Sequence, residues 1–166
     1  AVGFLLDFVV PRSVKARIEL IVEPDTTSLV YGRYRIQNEG ALELNVVTTA
    51  GRAGRVQGDV RLAEESVNTF LVRSLGYEGS MDNVINVTHE GPRSVSDGVL
   101  KAVSFNSALI SIRGVASISE YAYDSSTSII GRSFIQGSNA KAVVTPMLEV
   151  KTGRVRTAKH SASAMK

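Results

Sequence analysis

Short runs of alternating apolar and polar residues recur along this chain, and that period of two constrains its fold more than any other feature. Val14, Ala16, Ile18, Leu20 and Val22 fall on one side of an extended backbone, with Lys15, Arg17 and Glu19 between them; only Ile21 breaks the pattern. The same reasoning predicts strands at Leu29–Gln37, Leu42–Val46, Val56–Leu62, Val67–Val72 and Val84–Thr88. In the second half it predicts Leu100–Phe105, Ala108–Arg113, Ser117–Tyr121, Ile129–Ile135, Ala142–Val144, Met147–Lys151 and Val155–Ala158. Turn clusters separate them: Asn38-Glu39-Gly40, Glu78-Gly79-Ser80, Ser96-Asp97-Gly98, Asp124-Ser125-Ser126 and Gly137-Ser138-Asn139. No long window carries a helical apolar stripe; Ala63–Gly76 comes nearest, and its Val67, Thr69, Leu71 spacing suits a strand better. The fold class is all-β.

Two architectures fit that pattern. Gly98, Gly114 and Gly131 recur at nearly even intervals, and Asn106-Ser107-Ala108 is echoed by Ser138-Asn139-Ala140 at twice that interval. Loose periodicity with small residues at corners suits the stacked rungs of a parallel β-helix. A β-sandwich calls for tight hairpin signals, and Asp97-Gly98 is the one that stands out. Pattern alone leaves the two open.

With 166 residues, 43% hydrophobic and 21% charged, the chain has one domain's worth of sequence, spanning 1–166, and is too apolar to stay disordered. The 22 Val and 19 Ser lean the composition towards strands and turns. No apolar run approaches the roughly 20 residues of a transmembrane helix, so no membrane partner is expected. The apolar opening Ala1–Val10 lacks a preceding basic residue and a cleavage signal, and reads as buried structure rather than a signal peptide. The net charge of +3 is unevenly placed: Lys151, Arg154, Arg156, Lys159 and Lys166 give the stretch 151–166 a charge of +5, against −2 for the rest. A solvated strand face accounts for that run more simply than nucleic-acid binding, and no nucleic-acid partner is expected.

Candidates for chemistry are few. With no cysteine, the chain supplies no disulfide, thiolate nucleophile or Cys-ligated metal site of its own, and two His exclude a His-rich centre. His89-Glu90 begins like a zinc-protease motif, but Arg93 stands where the second His belongs. Gly51-Arg52-Ala53-Gly54-Arg55 precedes a strand instead of a helix, which rules out a dinucleotide loop. Asn86-Val87-Thr88 is a glycosylation acceptor only in a secreted protein. No Gly-x-Ser-x-Gly elbow accompanies either His. Glu64-Glu65 would point to opposite faces of a strand, as solvated charges. His160, between Lys159 and Ser161 in a small-residue stretch, is by spacing alone an ordinary exposed imidazole.

Several separated blocks nevertheless occur in a recognisable order. Asn86-Val87-Thr88-His89-Glu90-Gly91-Pro92-Arg93-Ser94 leads into a strand; Ile130-Gly131-Arg132-Ser133 follows, then Ala140–Val144. Pro146-Met147-Leu148-Glu149-Val150-Lys151 and Ala158-Lys159-His160-Ser161-Ala162-Ser163 close the series. Together they resemble the SufB/SufD family of iron–sulfur cluster assembly scaffolds over most of residues 14–166, most strongly after residue 84. The resemblance implies a right-handed parallel β-helix and a non-catalytic scaffold role in the SUF complex; the expected location is cytoplasmic, the plain expectation for a chain without cysteine. It implies as partners a SufC-type ABC ATPase, and a SufB-like chain or a second copy as a homodimer. It also implies a transient iron–sulfur cluster shared with the partner chain, with His160 as the cofactor-binding and metal-ligating residue. The cysteine of SufB-type members is replaced by Ala140 or a neighbour, and their Glu after the His by Ser161, so the chain is more SufD-like than SufB-like. Family members continue into helices that grip the ATPase; the present sequence is expected to be a core that lacks them. A β-helical carbohydrate-active enzyme is the alternative, disfavoured by 5 Tyr, 5 Phe and no Trp.

Overall fold

The computed structural model describes residues 2–23 and 26–166, and places twelve strands and no helix among them. These are β1 (Val2–Val10), β2 (Lys15–Val22), β3 (Ser28–Ile36), β4 (Ala41–Thr49), β5 (Gly54–Leu62) and β6 (Val67–Gly76). They continue as β7 (Ser80–His89), β8 (Val95–Phe105), β9 (Leu109–Ile118), β10 (Ser126–Gln136), β11 (Lys141–Val150) and β12 (Thr157–Met165). Odd strands form one six-stranded sheet and even strands another, each strand hydrogen-bonding in parallel to those two places away. That connectivity is a right-handed parallel β-helix of about 6 turns. The sandwich alternative is excluded by the pairing, although its two facing sheets are present.

The alternation becomes core because parallel in-register pairing stacks like on like. Val30, Val56 and Asn83 form one interior column, and Leu44, Phe70 and Gly98 another. Each inward side chain rests on the rung below, so the interior is a continuous packed rod, mostly aliphatic, with buried polar groups such as Thr48, Ser74 and Asn83 among them. The coil lengthens along the chain: the turn that carries Val2 to its partner Ser28 is shorter than the one that carries Leu109 to Lys141. The echo of Ala108 in Ala140 is therefore one full turn; the Lys141 N–H donates to the Ala108 carbonyl at 2.9 Å. The even intervals between Gly98, Gly114 and Gly131 are half-turns that cross from one sheet to the other.

One corner repeats with greater regularity than the strands. Ser13, Glu39, Glu65, Arg93 and Asp124 occupy it on successive turns, each with φ near +57°. Each donates its N–H to a carbonyl of the next turn: Ser13 to Asn38, Glu39 to Glu64, Glu65 to Pro92, Arg93 to Tyr123, Asp124 to Arg154. A single left-handed residue turns the chain sharply, and the stacked hydrogen bonds compensate its steric cost.

Six expectations need correction. Ser96-Asp97-Gly98 is the interior of β8, not a turn: Gly98 lies against the Phe70 ring, where a Cβ would come within 2.0 Å. Ala108–Arg113 with Ser117–Tyr121 is the single strand β9, ending at Ile118, and Ala142–Val144 with Met147–Lys151 is the single β11; Gly114 and Pro146 sit opposite one another without breaking either. The last strand starts at Thr157, not Val155, and runs to Met165. Of the opening Ala1–Val10, Ala1 lies outside the described residues, and the strand from Val2 to Val9 is largely exposed, with only Val10 buried, because β1 has a neighbour on one side only; Phe4 and Leu5 are 58% and 63% exposed. Glu64 and Glu65 lie on a corner and converge on the Arg93 guanidinium instead of diverging.

Candidate functional site

β11 ends the odd sheet and β12 the even sheet, so one end of the rod presents two strands with a free edge each. Register fixes which of their residues continue the interior. On β11, Ala142, Val144, Pro146 and Leu148 follow the buried Ile110, Ile112, Gly114 and Ala116. On β12, Ala158, His160, Ala162 and Ala164 follow the buried Thr127, Ile129, Gly131 and Ser133. The last turn therefore exposes a platform of small and aliphatic residues that would be core if another layer covered it.

His160 stands in that platform, in line with Ile129, which is fully buried. It is exposed, and among the described residues it makes no hydrogen bond or ion pair. An imidazole has a donor and an acceptor nitrogen, and covering this one without a partner for them would be costly. Its neighbours on the platform are apolar, so whatever covers the end must bring the polar partner.

The second histidine is a different kind of residue. His89 ends β7 fully buried, with Nδ1 2.7 Å from Ser94 Oγ and Nε2 2.8 Å from Ser96 Oγ. Ser94 donates to the Gly91 carbonyl at 2.9 Å, which leaves its oxygen to accept from Nδ1–H. Nε2 then accepts from Ser96, whose oxygen is 2.7 Å from Thr127 Oγ1. Burial pushes the ring down to about 4, so it is neutral at pH 7. Neither histidine is hydrogen-bonded to a carboxylate among the described residues, so no Ser/His/Asp arrangement forms. Asn86, of the glycosylation pattern, lies within β7 and donates to Asp59 Oδ1 at 2.7 Å.

The donor set decides what metal chemistry this chain can support. It has no thiolate, and no three His, Asp or Glu side chains converge among the described residues. Iron–sulfur clusters are held chiefly by cysteine thiolates, so the chain's own residues do not fit a resident cluster. His160 can offer one nitrogen to a site whose other ligands come from elsewhere. Ala140, at the position expected of a SufB-type cysteine, is a buried residue at the corner before β11. The carbohydrate-enzyme alternative needs several aromatic side chains lining one groove; Tyr77 stacks on Phe105 at 4.9 Å, Tyr123 carries the Arg154 guanidinium 4.8 Å from its ring centre, and the exposed Phe4 and Tyr121 lie on β1 and on the corner after β9, far apart in the order of strands.

Sequence reasoning singled out His160 but missed the platform around it. The signal was present: alternation in Ala158-Lys159-His160-Ser161-Ala162-Ser163-Ala164 puts the imidazole among alanines, but showing that their face continues the core requires the register with β10. No curated protein matches the chain significantly. A family model described as SUF system FeS cluster assembly, SufBD core domain, matches residues 16–166. That span runs from β2 to β12 and includes every turn that builds the open end, so the chain belongs to the SufBD core-domain family of the SUF iron–sulfur cluster assembly system.

Proposed function

We propose that this chain is a non-catalytic, SufD-like scaffold arm of the SUF complex, acting in the cytoplasm with a SufC-type ABC ATPase. The observation that carries the proposal is the family match over residues 16–166, with His160 in register with the core residue Ile129. A SufB-like chain, or a second copy, covers the platform and pairs with the free edge of β11 or β12. Covering it removes the half-buried Ala142, Val144 and Leu148 from water and satisfies the unpaired strand edge. The partner supplies the thiolates, and His160 completes the set of ligands around a cluster that is cargo rather than a resident group.

The rod itself would act mechanically. Each turn touches only its neighbours through an unbroken core, so a force applied at one end moves the rod as a unit. ATP binding by a SufC-type partner would open the covered end only if its two nucleotide states contact the scaffold differently.

The test is reconstitution of the full-length protein with the SufC-type ATPase and the SufB-like chain of the same source. A stable ternary complex whose ATPase rate exceeds that of the ATPase alone is expected. His160→Ala should keep the complex but lower cluster yield on it at least several-fold. Failure to bind either partner would overturn the proposal.

A further inference from the structure

The outer face of the even sheet carries a feature that the open end does not explain. Arg73, Lys101 and Arg132 are register partners on β6, β8 and β10, so three exposed cations stand directly in line across adjacent strands. Among the described residues none is within ion-pairing distance of a carboxylate, although ion pairs elsewhere use Arg12, Arg17, Arg33, Arg35, Arg55, Arg61, Arg93, Lys151 and Arg154. Like charges opposed in a sheet repel, so the column costs the free protein stability. On one side runs an apolar column, Leu71, Val99 and Ile130; on the other, Leu75, Val103 and Phe134. Ile130 and Leu75 are 39% and 40% exposed.

We infer that this face binds an acidic amphipathic helix of a protein partner, lying across the strands along the rod axis. The inference does not depend on the cluster-assembly reading. Strands are about 4.8 Å apart, so the three cations span about 10 Å. A helix places residues i, i+4 and i+7 on one stripe over about 10.5 Å, which matches three cations with three carboxylates. Apolar residues flanking that stripe then fall over the two aliphatic columns, so charge and hydrophobic burial act together. A single-stranded nucleic acid would want aromatic stacking platforms beside the cations, and five of the six flanking side chains are aliphatic.

The experiment uses the full-length protein and a fluorescein-labelled helical peptide with Glu at i, i+4 and i+7 and Leu on both flanks, read by anisotropy at two salt concentrations. The comparison probes are the same residues scrambled off that spacing, and a labelled oligothymidylate. Binding of the spaced peptide is expected, weakened at least tenfold by Lys101→Glu and less than twofold by Arg52→Glu, which changes net charge equally on an exposed corner. Arg73→Gln with Arg132→Gln should weaken it comparably, and serves if Lys101→Glu does not fold. Equal loss in the Arg52 and Lys101 variants, equal affinity for the scrambled peptide, tighter binding of the oligothymidylate, or no binding would each overturn the inference.

Discussion

Both ring nitrogens of His89 are occupied by serine hydroxyls inside the rod, and protonating the ring would force two donors against a site arranged for one donor and one acceptor. The folded chain therefore resists a proton that the unfolded chain accepts at the ordinary value near 6.5. Stability from this group is fully present above about pH 6.5 and is lost as pH falls towards 4. Between pH 7 and pH 4.5 the loss amounts to roughly 2–3 kcal/mol, at rather more than 1 kcal/mol for each pKa unit. Urea denaturation of the wild type and of His89→Asn at both pH values measures it: the variant starts less stable but should lose roughly 2–3 kcal/mol less on acidification. Equal slopes would show that His89 does not carry the acid sensitivity. The exposed corner pairs, such as Arg12 with Glu39 at 2.7 Å, are not expected to produce such a signature, since water and salt screen pairs of that kind.

Within β8, Gly98 leaves the room that the Phe70 ring occupies. Gly98→Ala puts a methyl group into that ring, and overpacking should cost about 1–3 kcal/mol. Phe70→Leu alone should also destabilise, yet the two together should be less harmful than their sum, because the smaller side chain vacates the space the new methyl needs. A double-mutant cycle by thermal or urea unfolding checks this; additive effects would refute the contact. Gly114→Ala is the contrasting case: its new Cβ meets Leu100 Cδ1 at 2.9 Å, the far end of a side chain that can turn away, so the cost should stay below that of Gly98→Ala. The same Gly98 shows how far the sequence could be read. Alternation located nearly every strand, because parallel stacking keeps the period of two that local chemistry writes into each run. Ser96-Asp97-Gly98 misled because its turn-forming composition is overridden by a ring from β6, one full turn earlier, which no local window contains. The corner ladder was legible in principle, since Ser13, Glu39 and Glu65 recur at one fixed interval, but none is a usual left-handed residue and the hydrogen bonds that hold them are between turns. His160 was legible as a residue and illegible as a position, because its place at the end of the core follows from pairing with Ile129.

A rod built from turns that touch only their neighbours has no single stability. Its middle turns are covered on both sides, whereas β1 and β12 each pair on one side, so opening should begin at the two ends. Amide hydrogen exchange of the monomer at low concentration should show protection greatest in β5 to β8 and least in β1 and β12. The ends differ chemically, and that difference makes the pattern a test of assembly. β1 exposes large side chains, Phe4, Leu5 and Val9, while the β11–β12 end offers small residues in line with the core and one imidazole. A flat platform of small groups allows close backbone approach and a new strand pairing; bulky side chains on the outer strand hinder it. If the last turn is where a second chain docks, raising the protein concentration or adding the SufB-like partner should slow exchange in β11 and β12 and leave β1 unchanged. Protection appearing in β1 would place the docking surface at the opposite end and separate His160 from it. Uniform protection along the rod at every concentration would mean that the turns open together, and the nearest-neighbour account of its stiffness would fail with it.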